Sequence, residues 1–165
     1  MLRLLGSALI FAGGFLGRAA QARQRRRRRE VLSDLLQALR RMGEEIRAAR
    51  TPMPPLLNQL AASCHEDAAA FLRSVSAALR GGEDLARAWR AGAEELPLAR
   101  EDRELLSSLG EDLRGDEESI SKAISLVTYH FAKRLEESIR RKPEEDKREA
   151  ALCLSAAALL VILLL

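Results

Sequence analysis

Few side chains in this sequence are of types that do chemistry. Cys64-His65-Glu66 places a thiol beside an imidazole, but neighbouring residues leave a helix about 100° apart, so a Cys-His couple would need separate converging partners. The tripeptide reads better as a helix boundary. His130, between Tyr129 and Phe131, reads as a surface or partly buried polar residue. Acidic pairs recur at Glu44-Glu45, Glu94-Glu95, Glu117-Glu118, Glu136-Glu137 and Glu144-Glu145. Two carboxylates can seed a metal or acid–base site, yet pairs scattered along helices are what solvated faces produce. Neither an HExxH nor a GxxxxGK[ST] pattern occurs. Cys64 and Cys153 match no zinc spacing and form no disulfide framework, which suits a reducing compartment for the soluble part. Trp89, the lone indole, is expected to anchor a core rather than to hold a ligand. These residues predict no catalytic, cofactor-binding or metal-ligating site and no small-molecule substrate.

The strongest chemical feature is basic: Arg18, Arg23 and the run Arg25, Arg26, Arg27, Arg28 and Arg29. Eight of the 27 Lys and Arg residues precede Glu30, the first acidic residue, so residues 30–149 set nineteen bases against all 24 acids. A chain of net +3 therefore has a body of net −5 and one concentrated basic block. Such a block binds anionic lipid headgroups at roughly 1 kcal/mol per basic residue. It could also bind nucleic-acid phosphates. The acidic body has no second basic stripe and no interleaved aromatics, so nucleic acid is not the expected partner.

The arginine block adjoins an apolar end of the chain. Of the 165 residues, 1–17 carry one charge, Arg3, and 150–165 carry none. A bilayer span needs about 20 apolar residues, with roughly 17 as the lower limit. The first run lengthens through Ala19, Ala20 and Ala22 if Arg18 snorkels, and the second if Lys147 and Arg148 do. Both runs are apolar around the whole helix, including LLVILLL at 159–165, which favours membrane over a buried core helix. Ala20-Gln21-Ala22 resembles a signal-peptide cleavage site, but the arginines follow the apolar run instead of preceding it, the order of a retained anchor. The positive-inside rule applied to Arg18, Arg23, Arg25 to Arg29, Lys147 and Arg148 puts the region between the spans in the cytoplasm. The sequence thus predicts a transmembrane helix at 1–22, a cytosolic region at 23–148 and a transmembrane helix at 149–165. Small residues Gly6, Gly13 and Gly17, and Ala151, Ser155 and Ala158, form faces on which these spans could pack, within one chain or between copies as a homo-oligomer.

The central region is 3.6-periodic throughout, and with 47% hydrophobic and 31% charged residues the chain is neither disordered nor polytopic. Val31, Leu35, Leu39, Met42, Ile46 and Ala49 make one apolar stripe on a long stalk helix that should stop near Arg50, and Thr51-Pro52 should start the next. Further helices are expected over Leu56, Leu57, Leu60 and Cys64; over Phe71, Leu72, Val75, Ala78 and Leu79, ending at Gly81-Gly82; over Leu85, Ala88, Trp89 and Leu96, ending at Pro97; and over Leu105, Leu106, Leu109 and Leu113. Arg114-Gly115-Asp116 is a stop and start, with Gly115 suited to a left-handed cap and Asp116 to an N-cap. The last helix carries Ile120, Ile124, Val127, Phe131, Leu135 and Ile139, and Pro143 should separate it from the second span. The predicted fold is all-α: a compact cytosolic bundle of about six helices between N- and C-terminal transmembrane helices.

The sequence resembles the stage III sporulation protein AB family. MLRLLG (1–6), LLQALRRMGEEI (35–46) followed by Thr51-Pro52, GGEDLARAW (81–89), LSSLGEDLRGD (106–116) and the terminal LLVILLL carry the resemblance, in order, over nearly the whole chain. It departs at Ile120, where glutamine is expected, at Ala49-Arg50 in place of tyrosine-glycine, and at alanines and serine in place of glycines in the second span. The resemblance implies a subunit of a secretion-like channel between mother cell and forespore, in the outer forespore membrane and facing the mother-cell cytoplasm. It also implies a bundle similar to the cytoplasmic domains of type II secretion platform proteins, with a secretion-type ATPase and other channel subunits as partners. The expected function is a non-enzymatic platform that couples the ATPase to the membrane complex. The alternative is a membrane-surface or nucleic-acid binding module acting through the Arg18 to Arg29 block.

Overall fold

In the computed structural model the backbone is described for residues 2–48 and 51–164, and side chains for residues 20–48 and 51–140. All regular structure among the described residues is helical: α1 (Leu2–Arg47), α2 (Met53–Ala61), α3 (Glu66–Arg80), α4 (Leu85–Glu95), α5 (Arg100–Asp112) and α6 (Glu117–Leu164). The chain divides into a compact unit of residues 1–132 and a second unit of residues 133–165.

In the first unit α1 packs on α2 and α3, α2 on α3, α3 on α4 and α4 on α5. The predicted stripe is buried at Val31, Leu35, Leu39 and Met42, and Leu32, Leu36 and Ala38 widen it to both sides. Helix α1 ends at Arg47, short of Arg50, and Ala49 and Arg50 lie outside the described residues. Thr51-Pro52 does not cap α2 as expected. Pro52 takes the N-cap position without a side-chain bond and Pro54 falls in the first turn, where a missing N–H costs nothing. Thr51 instead donates to Glu45, Oγ1 to Oε2 at 3.4 Å. Ser76, fully buried on α3, donates to the carbonyl of Pro54 at 2.8 Å and ties the two helices.

Glycine and aspartate set the turns. Past α3, Gly82 adopts φ 85°, the Glu83 N–H bonds the Ala78 carbonyl at 3.0 Å and the Gly82 N–H bonds that of Leu79 at 3.1 Å. Two residues later Asp84 caps α4, accepting from the Arg87 N–H at 3.2 Å. Helix α4 stops at Glu95 because Pro97 forces Leu96 into an extended conformation with ψ 141°, so Leu96 is buried from the connection and not from the helix. Asp116 caps α6 through the Ser119 N–H at 3.1 Å, as expected. Gly115 is not left-handed; the chain leaves α5 through tight turns in which the Arg114 and Gly115 N–H groups bond the Glu111 and Asp112 carbonyls.

Trp89 is fully buried and joins three helices. Its ring meets Phe71 of α3 edge-on at 5.0 Å, and its Nε1–H donates to the Leu106 carbonyl of α5 at 2.8 Å. The approach requires glycines: a Cβ on Gly110 would lie 2.9 Å from Trp89 Cβ, and one on Gly92 would lie 2.8 Å from Phe71 Cδ2. Helix α6 buries Ile120, Ile124, Val127 and Phe131; a Cβ on Gly43 of α1 would touch Ile124 at 3.4 Å, and Arg47 donates to Ser121 Oγ at 2.7 Å.

Two expectations for α6 are corrected. Ile139, placed on the apolar stripe, is 59% exposed and lies in the second unit, beyond the residues of α6 that the first unit buries. Pro143 does not break the chain; the helix continues through it to Leu164. Proline removes one backbone bond, and the flanking Arg, Lys and Glu are good helix formers with no turn residue among them.

Overpacking at the α4–α5 crossing should be costly. Gly110→Ala is expected to lower stability by about 1–3 kcal/mol, read as an earlier thermal transition in far-UV circular dichroism of the full chain. Wild-type stability would contradict the close α4–α5 approach.

Candidate functional site

The basic block occupies α1 immediately before its buried stripe. Successive arginines at about 100° cover the whole circumference, so they cannot all face one partner. Arg23, Arg25, Arg26, Arg27 and Arg28 are exposed and Arg29 half-buried. Arg26 and Arg27 have partners on α1 and α3. Arg26 pairs with Glu30 at 2.9 Å, one turn along, and Arg27 reaches across to α3, where its Nε and Nη2 each donate to one Asp67 oxygen. The Arg27 guanidinium holds the Asp67 carboxyl below the usual carboxylate range, and Asp67 in turn raises Arg27. The stabilisation from Asp67 is therefore present above the ordinary carboxylate pKa of about 3.9 and is lost as the pH falls through its lower folded value. Arg23, Arg26 and Arg27 line one depression with His65, Glu66 and Asp67.

Seven residues along the same face of α1 is a residue that sequence reasoning missed. Asp34 is 6% exposed, within the apolar stripe. Its carboxylate accepts from the His65 N–H at 2.7 Å, and His65 Nδ1 lies 3.0 Å from both of its oxygens. His65 is the N-cap residue of α3 and makes no side-chain cap bond of its own. Asp34 thus takes up a first-turn donor of α3 from another helix. The signal was present in the spacing: an acid flanked on its own helix face by Val31 and Ala38 has to be buried with a partner.

Among the described residues the other candidates do not assemble into a reactive site. Cys64 follows α2 and its Sγ–H donates to the Leu60 carbonyl at 3.3 Å, while the His65 ring turns to Asp34. Burial pushes the Cys64 thiol up, away from thiolate reactivity. His130 is exposed and meets Tyr129 edge-on at 5.8 Å. Among the described residues no group of three or more His, Cys, Asp or Glu could hold a metal ion. Glu45 accepts from Thr51 and Glu118 pairs with Lys122 at 2.7 Å, while Glu44, Glu94, Glu95, Glu117 and Glu136 are exposed. Glu144-Glu145 lie outside the described side chains, as do Arg18, Lys147, Arg148, Gly6, Gly13, Gly17, Ala151, Ser155 and Ala158. The two expected spans also lie mostly outside them, and among the described residues no helix is long and apolar enough to cross a membrane.

The family model for stage III sporulation protein AB matches residues 3–165. The chain belongs to that family. A solved structure of a stage III sporulation protein AB (SpoIIIAB) superposes with a TM-score of 0.66 at 23% identity, covering 72% of this chain and 98% of that one. The fold is shared. No curated protein matches. In this sporulation protein two of the stretches that carry the resemblance sit at helix junctions: Gly82 and Asp84 make the α3–α4 turn, Trp89 and Gly110 the α4–α5 crossing, and Arg114 pairs with Asp84 at 3.3 Å, joining GGEDLARAW to LSSLGEDLRGD.

Removing the buried acceptor tests the α1–α3 joint. Asp34→Ala should cost about 1–2 kcal/mol, as loss of a helix cap does, while Asp34→Asn, which keeps one acceptor oxygen, should cost less. Thermal unfolding of the two variants beside the native chain reads the order; equal stability of all three would show that the joint carries nothing.

Proposed function

We propose that this sporulation protein is a non-enzymatic platform subunit of a secretion-like channel required for endospore formation, coupling a cytosolic secretion-type ATPase to the membrane complex. Residues 1–22 and 149–165 are its membrane anchors and residues 23–148 its cytosolic part, on the mother-cell side of the outer forespore membrane. Neighbouring channel subunits, anionic lipids at the arginine block and further copies of the chain are its partners.

The observation that carries this reading is the continuity of α1. One 46-residue helix, about 70 Å long, links the apolar first run and the arginine block to the buried stripe. Force applied to the bundle passes along such a rod without a hinge to absorb it. The grips at Asp34 and Arg27, two turns apart on one face, resist its rotation against α3. The non-enzymatic reading is supported by the dispersal of the reactive residues: Cys64 and His65 are directed to different partners.

The test breaks the rod and spares the bundle. Gln24 is exposed and ahead of the buried stripe, whereas a proline at Leu35 or Leu36 would also destroy the core. Gln24→Pro should kink the helix, at about 3 kcal/mol or more locally, and reduce heat-resistant spores to the level of the gene deletion. The variant should stay in the alkali-resistant membrane fraction. Normal sporulation would contradict coupling through α1, and release of the native chain by alkali would contradict the anchors.

A further inference from the structure

We propose that the His65–Asp34 contact is a pH-graded latch fastening α1 to the start of α3, tighter when the imidazole is protonated. Both connections are to one buried carboxylate: the backbone N–H of His65 at 2.7 Å and Nδ1 at 3.0 Å from each oxygen. The two side chains differ sharply in exposure, 7% for Asp34 and 78% for His65. The carboxylate cannot turn to water, while the far edge of the ring exchanges protons with solvent freely. Nδ1 must carry hydrogen in either state to donate to the carboxylate, so the bond persists across the titration. What changes is the charge: a neutral donor to an anion becomes an ion pair.

The surroundings favour the cation. From α1 the ring faces Asp34 and Glu30, with Arg23, Arg26 and Arg27 lining the same depression; from α3 it faces Glu66 and Asp67. Arg26 and Arg27 are taken up by Glu30 and Asp67. Helix α2 contributes no charged residue, and Arg41 acts on the neighbouring Cys64. Asp34, through its hydrogen bond and its charge, raises the His65 pKa above the ordinary value. A group raised on folding stabilises fully below its unfolded pKa, about 6.5, and its contribution is lost as the pH rises through the folded value. The joint is therefore tight in mild acid and loosens upward from there. The neighbouring Arg27–Asp67 pair, which titrates only in strong acid, does not follow.

The test is amide hydrogen exchange of the full chain in detergent micelles from pH 5.5 to 8.5, corrected for intrinsic rates. Protection of the His65 amide and the first turn of α3 should fall by at least about two-fold across this range, while the Trp89 region of α4 stays constant. His65→Asn keeps a donor near the Nδ1 position but does not titrate, and its protection should be flat with pH. Flat protection in the native chain, or an unchanged fall in His65→Asn, would overturn the proposal.

Discussion

The apolar face of α1 between Val31 and Met42 is the surface on which the bundle is ordered. Its neighbours α2 and α3 bury Leu57 and Val75, α6 meets α1 just beyond this face where Arg47 donates to Ser121, and α4 and α5 are added through α3 and Trp89. That face is followed back along the same helix by a full turn of arginines, which cannot be buried in a core without partners. The border between Glu30 and Val31 therefore sets where the bundle begins. The arginines that reach back toward the bundle do so by pairing, Arg27 with Asp67, and not by packing.

Much of this arrangement was legible because the punctuation is explicit. Gly81-Gly82 after Leu79, Pro97 after Leu96, and Asp116 ahead of Ile120 fix three of the turns, and the period of apolar residues names the core through Trp89 and Phe131. The helix types and their order follow from these signals. Where the sequence pattern misled, a local rule met a different context. Gly115 can be left-handed, but two short turn bonds serve there without it. Pro143 disfavours a helix, but helix formers stand on both sides of it. Ile139 continues the spacing of the α6 stripe past the first unit and is exposed there.

The sites that hold helices together were harder to see than the helices. Asp34 looks like one more polar residue until its neighbours on the helix face are counted, and its partner lies 31 positions away. Gly92 and Gly110 lie inside helices where glycine is locally unfavourable; that cost is a sign of a close crossing, but only the fold says against what. The arginine block was visible as charge, while the reach of Arg27 across to Asp67 depends on α3. The order of interactions along one face of α1, from Arg27 to Asp34 to the buried stripe, fixes the helix to the bundle, and the proposed coupling requires that α1 then run on as one rod.

That claim is tested most directly by the distance between spin labels on Gln21 and Gln37, both exposed on α1, in the full chain reconstituted in lipid nanodiscs with Cys64 and Cys153 replaced by serine. An unbroken helix through the arginine block gives one narrow distribution at roughly 24 Å along the axis. A broad distribution, or one centred well below that distance, would mean that the block is a hinge and that α1 cannot carry force from the bundle to the segment before it.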